Sequence, residues 1–130
     1  MAAEAPHFAG REYDRAKARQ AVEYCVEQGS AFVDRDPVTG RVRGMALADL
    51  VEHWVMDEVY ACDLAVYVQP DCRGSTTAVR LIKAMEVWAR GAGAVRLVMG
   101  VSTGLLVGRT AGLYRRMGYQ DETVALAKRL

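Results

Sequence analysis

The sequence has little of what builds a metal centre or a disulfide framework. Its three cysteines, at positions 25, 62 and 72, are odd in number and show no CxxC spacing, and it has only two histidines, His7 and His53. This excludes a stapled secreted scaffold and argues against a metal site, so the cysteines read as thiols in a reducing, cytoplasmic compartment. An excess of one charge is also missing: 17 basic residues face 16 acidic ones, a net charge of +1. Nothing in that balance suits nucleic acid or a membrane surface as partner. No apolar run approaches the roughly 20 residues of a membrane span. The opening "MAAEAPHFAG" lacks the basic-then-apolar order of a signal peptide. Internal repeats and low-complexity linkers are absent as well.

What remains is ordinary globular material. The 130 residues are 52% hydrophobic and 25% charged, which suits one domain over 1–130 with a real core. Ala18, Ala21, Val22 and Cys25 recur at helical spacing, so Arg11 to Gln28 is expected to be a helix, stopped by Gly29. A hairpin follows, with strands at Ala31 to Asp34 and Val42 to His53 around the turn residues 36–40. Val59 to Val68 reads as a third strand, with Tyr60, Cys62, Leu64, Val66 and Val68 on one face and Asp63 on the other. A helix from about Ser75 to Ala89 carries the apolar stripe Ala78, Leu81, Ile82, Met85 and Ala89, and Arg80, Lys83, Glu86 and Arg90 make its wet face. "AVRLVMGV" is expected as a buried strand, Leu105 to Met117 as a further helix, and Thr123 to Leu130 as a short final strand. Strand, crossover helix and strand in succession imply a parallel pair with a right-handed connection, hence a mixed sheet and an α/β or α+β domain.

The stretch "VQPDCRGSTTAVR" joins strand to helix through Pro70, Arg73, Gly74, Ser75, Thr76 and Thr77. The first amides of a helix have no partner inside it, and the helix start carries about half a positive elementary charge. A glycine and three hydroxyls beside such amides suit a phosphate or pyrophosphate, with Arg73 adding a full charge. They equally suit a plain helix cap, which serine and threonine make without any ligand. The spacing matches neither a P-loop nor a GxGxxG fingerprint.

The junction has company. "LAVYVQPDCRGSTTAVRLIKAMEVWARGAGAVRLVMGVSTG" followed by "TAGLYRRMGYQ" resembles the GNAT superfamily of acetyl-CoA-dependent N-acetyltransferases. The family has a strand ending near a proline, then Q/R-x-x-G-x-G/A at a helix start; Arg73 and Ala78 match its first and last positions, and Thr76 stands where a glycine is usual. A second element, a helix ending in Leu-Tyr and then Gly-Tyr or Gly-Phe, matches Leu113, Tyr114, Gly118 and Tyr119. The resemblance implies a GNAT-like mixed sheet with helices on both faces, short at the C-terminus. It implies acetyl-CoA as cosubstrate, with its pyrophosphate on the amides of Arg73, Gly74, Ser75, Thr76, Thr77 and Ala78. Its pantetheine arm would pair with Val66, Tyr67 and Val68 like an added strand. The acceptor would be a primary amine of a small molecule or peptide that attacks the acetyl group directly, with Tyr114 protonating the leaving thiolate.

For the general base the sequence offers Glu58, with Asp57, Asp63 and His53 beside it; Asp63 could equally pair with Arg43. Cys72 reads as a loop filler, and Trp54 and Trp88 as packing. Val107 replaces an asparagine common in the family. A non-enzymatic module that keeps the fold as an interaction domain stays open as the second function class. A single terminal strand in place of the family's usual two would leave an edge that invites a homodimer through that strand.

Overall fold

The structure is a computed structural model that describes residues 10–101, 106–128 and 130. The chain divides into two compact units, Gly10–Gly100 and a second one containing Val101–Leu130, and each is taken by itself.

The first unit opens with α1, Arg15–Glu27, which starts where the Asp14 carboxylate accepts the Lys17 amide at 3.0 Å. Strands β1 (Ala31–Arg35), β2 (Val42–Glu52) and β3 (Val59–Val68) form an antiparallel meander, and β4 (Leu97–Val98) runs parallel to β3, giving the order β1-β2-β3-β4. Helix α2, Thr77–Gly91, is the crossover between β3 and β4 and buries Thr77, Leu81, Ile82, Met85 and Ala89. Leu81 and Met85 meet Ala46 and Ala48 of β2 in the core, with Phe32, Val66, Trp88, Leu97 and Met99 packed around them. Ala46 and Ala48 are small because the helix lies directly on them. At Gly44 the approach is closer still: a Cβ there would lie 2.7 Å from the Tyr67 carbonyl oxygen and 2.9 Å from Thr77 Cγ2.

Two bulges depart from the alternation read in the sequence. The β2–β3 register steps from Leu47↔Ala65 to Ala48↔Asp63, so Leu64 has no opposite residue. Such an extra residue reverses the side-chain parity beyond it. Asp63 therefore shares the face of Val66 and Val68 rather than opposing them, and Leu64 is exposed. The β1–β2 register similarly skips Arg43 between Gly44 and Val42.

The expected strand "AVRLVMGV" shrinks to Leu97–Val98, because β4 is paired with β3 only at Ala61 and Cys62. In the second unit α3 spans Val107–Arg116; the expected start at Leu105 lies outside the described residues. The expected terminal strand is not formed: residues 121–128 adopt no regular structure and are exposed throughout. Val124 and Leu126 face solvent.

Candidate active site

Pro70–Cys72 make a single 3-10 turn after β3, Arg73 is extended, and Gly74 sits at φ 88°. A side chain rarely adopts that left-handed backbone, so the glycine is what lets the chain swing from strand into α2. Thr76, in the place where the motif usually has glycine, has φ −78°, which any residue adopts; its Cβ brings no strain.

The amides of this loop fall into two sets. Arg73 donates to the Pro70 carbonyl and Ser75 to the Cys72 carbonyl, both at 3.3 Å, and Thr77 donates to the Ser75 hydroxyl at 3.3 Å. The amides of Gly74, Thr76, Ala78 and Val79 donate to no protein acceptor among the described residues. Gly74 and Thr76 are exposed. They offer outward N–H groups at the positive end of a 15-residue helix.

The hydroxyls do the opposite. Ser75 donates to the Cys72 carbonyl at 2.6 Å, and the fully buried Thr77 donates to Asp34 Oδ2 at 2.8 Å. Thr76 Oγ1 accepts from Arg80 Nη1. The run of small polar residues is thus neither a simple cap nor a row of ligand hydroxyls: the Thr76 side chain makes no cap hydrogen bond. Arg73 Nε donates to the Val68 carbonyl at 3.2 Å, and its guanidinium lies 5.9 Å from the centre of the Tyr67 ring.

Beside the loop, β3 and β4 part company. They are paired at Ala61↔Leu97 and Cys62↔Val98, and from Asp63 to Val68 the β4 side of β3 carries no strand among the described residues. Asp63 stands where the ladder stops. Its Oδ1 accepts the Gly100 amide at 2.7 Å, so the carboxylate rather than the β3 backbone holds the departing chain. Burial pushes the Asp63 carboxyl above the ordinary carboxylate range, and the Gly100 amide offsets part of that. The opening is thus flanked by Asp63 at one end and the Arg73 to Ala78 loop at the other.

Glu58 lies five residues before Asp63, about 17 Å along an extended strand and away from the opening. Its side chain is exposed, and its backbone closes the β2–β3 turn by accepting the His53 amide at 2.8 Å. Arg43 does not pair with Asp63; the bulge places it on Asp34 at 3.1 Å and near Asp36 at 3.6 Å. Arg80, read as part of the wet face of its helix, is exposed there and also donates from Nε to Asp34 Oδ1 at 2.9 Å and from Nη2 to Oδ2 at 2.8 Å. Asp34 escaped the sequence reading. A carboxylate in a five-residue strand looks solvated, and only the later Thr77-x-x-Arg80 spacing on the helix carried a hint of its partners.

In the second unit Tyr114 is buried, 7% exposed, in the last turn of α3. Its ring lies 5.9 Å from that of Tyr119, tilted by 48°. The chain turns there because the amides of Met117 and Tyr119 both donate to the Tyr114 carbonyl, at 2.9 and 3.1 Å, with Gly118 at φ 97°. Leu-Tyr and Gly-Tyr are therefore one structural feature that brings the two aromatic rings together. No group of His, Cys, Asp and Glu among the described residues could hold a metal ion. No helix among them is long and apolar enough to cross a membrane.

A family model described as an acetyltransferase (GNAT) domain matches residues 24–121. Among solved structures, an aminoglycoside antibiotic 6'-N-acetyltransferase from Acinetobacter haemolyticus superposes with a TM-score of 0.67 at 19% identity, covering 92% of this chain and 84% of that one. A Trypanosoma brucei acetyltransferase gives 0.69 at 16% identity, covering 95% and 86%. Glucosamine-6-phosphate N-acetyltransferase from Arabidopsis thaliana gives 0.70 at 13% identity, covering 93% and 81%. At such identities these structures speak for the fold. No curated protein sequence matches the chain.

Proposed function

The chain belongs to the GNAT acetyltransferases, and from that premise we propose that it moves an acetyl group from acetyl-CoA to a primary amine of a small molecule or peptide. The observation that carries the reading is the pairing of an opened β3 edge with outward amides at the start of α2. The open edge suits an extended pantetheine arm along Val66, Tyr67 and Val68, which would pair as an added strand. The amides of Gly74, Thr76 and Ala78 suit a pyrophosphate, and Thr76 keeps its amide available despite its side chain.

In this reading an acceptor ammonium first gives a proton to a base. Asp63 is the better candidate than Glu58, because it stands at the mouth of the opening and burial raises its pKa, which makes it the stronger base. The amine nitrogen then attacks the acetyl carbonyl, a C–N bond forms, and the C–S bond breaks. The thiolate takes a proton from the Tyr114 hydroxyl, and the second proton leaving nitrogen restores Tyr114 through solvent. The products are an amide and coenzyme A. Two of the fold neighbours are named for aminoglycoside and glucosamine-6-phosphate acceptors, which makes amino sugars the first acceptors to screen, ahead of polyamines and peptide N-termini.

Calorimetric titration with acetyl-CoA tests the reading. The parent chain is expected to bind, and Gly74→Phe to lose binding, since a bulky side chain at φ 88° both strains the loop and fills the approach to its amides. A parent that does not bind, or a variant that binds as well as the parent, rules the site out.

A further inference from the structure

We propose that Asp34, on the hairpin and outside the cofactor loop, is the positioning residue that holds the loop amides in phosphate-binding geometry. The proposal rests on the acetyl-CoA reading above. Asp34 is buried, and four donors converge on its carboxylate: Thr77 Oγ1, Arg80 Nε, Arg80 Nη2 and Arg43 Nε, at 2.8, 2.9, 2.8 and 3.1 Å. Two arms run from it into the loop.

The first arm goes through hydroxyls. Thr77 has one hydroxyl proton and gives it to Asp34, so its oxygen is left to accept from Arg80 Nη2 at 3.3 Å. Ser75 gives its proton to the Cys72 carbonyl, and its oxygen accepts the Thr77 amide. The second arm goes through Arg80, whose Nη1 donates to Thr76 Oγ1. Both arms draw side chains toward β1. What the loop then leaves without a protein acceptor among the described residues is the amides of Gly74, Thr76 and Ala78. Without Asp34, Thr77 and Arg80 lose their common acceptor, and Thr76 loses the fixed Arg80 donor that orients its side chain.

The charge of Asp34 gives the idea a sign that can be tested. A carboxylate close to a phosphate site repels the ligand. The local set Asp34, Asp36, Arg43 and Arg80 sums to zero, and Asp34→Asn leaves it at +1. If Asp34 acted by its field alone, removing the charge would tighten coenzyme A binding. If it positions the loop, the same substitution weakens binding despite the added positive charge.

The experiment is an amide-resolved NMR titration of the full chain with two ligands, coenzyme A and pantetheine, which lacks the pyrophosphate. For Asp34→Asn the expected result is coenzyme A affinity lower by roughly ten-fold or more, with pantetheine affinity within about two-fold of the parent. Thr77→Val nearly keeps volume, keeps charge, and puts a methyl group in place of the hydroxyl that donates to Asp34. It is expected to shift the ratio in the same direction, and it decides the matter if Asp34→Asn does not fold. A folded variant that binds coenzyme A as tightly as the parent, or more tightly, overturns the proposal. Equal weakening of both ligands also overturns it, by reducing Asp34 to general support of the fold. A parent that binds neither ligand removes the acetyl-CoA reading itself.

Discussion

Replacing Gly44 by alanine places one methyl group where three elements meet. The new Cβ would lie 2.7 Å from the Tyr67 carbonyl oxygen, 2.9 Å from Thr77 Cγ2 and 3.1 Å from Leu81 Cδ1. The leucine methyl is the end of a flexible side chain and can move. The carbonyl cannot without disturbing β3, and Thr77 cannot turn away without losing Asp34. Overpacking of this kind costs about 1–3 kcal/mol. For a chain of this size each kcal/mol lowers the melting temperature by about 3–5 °C. The expected loss is therefore roughly 3–15 °C by calorimetry or circular dichroism. Gly91→Ala is the control: nothing lies within 4 Å of a Cβ there, so the variant should melt with the parent or slightly above it. The strain falls on Tyr67 and Thr77, so acetyl-CoA affinity should drop as well. A Gly44→Ala chain that melts with the parent and binds acetyl-CoA equally would refute the claim that α2 is seated on β2 at its closest permissible distance.

Two predictions concern turnover, once an acceptor is in hand. Tyr114→Phe should lower kcat with little change in acetyl-CoA affinity, because a proton donor acts on the leaving thiolate; unchanged kcat would remove the proton-donor role from Tyr114. Asp63 works as a base only when ionised, and burial raises its pKa, so kcat/KM should fall as pH drops through a value above the usual carboxylate range. Asp63→Asn should remove that limb of the profile, and a limb that survives the substitution assigns it to another group.

Much of the fold was legible because its signals are local. The bounds of β3, Val59–Val68, agree with the reading, since a charged run precedes it and Pro70 ends it. The stripe Leu81, Ile82, Met85 and Ala89 is buried as its spacing implied. What failed depends on partners distant in sequence. Neither bulge leaves a mark in composition, yet the one at Leu64 moves Asp63 to the core face and exposes a leucine. The stretch "AVRLVMGV" is rich in apolar residues and stays short as a strand because its neighbour stops pairing after Cys62. Thr123 to Leu130 alternates like a strand, but alternation needs an edge to pair with and the described residues there have none. The strand-to-helix junction was visible in Arg73 to Ala78, while the partners of its hydroxyls were not, because their acceptors include Asp34, more than forty residues earlier.

The hairpin grips the loop at three points of unequal weight. The Gln69 amide donates to the Arg43 carbonyl at 2.8 Å, continuing the β2–β3 ladder past its last paired residue. Arg41 holds Asp71 with two hydrogen bonds, 2.6 and 2.9 Å long, but both side chains are more than half exposed. Solvent and salt screen such a pair, so it guides the 3-10 turn without fixing it. Asp34 is different: it is buried, it is surrounded by donors, and its carboxyl is held far below the ordinary range, first by the hydrogen bond from Arg80. A buried carboxylate so arranged has no cheap alternative geometry, whereas an exposed ion pair has many. The rigidity of the loop therefore comes from its far end, where Thr77 and Arg80 leave the helix for β1. The run Arg73-Gly74-Ser75-Thr76-Thr77 follows from that division of labour. Glycine turns the chain, the hydroxyls hold it from behind, and the backbone amides are left facing the place where a pyrophosphate would lie.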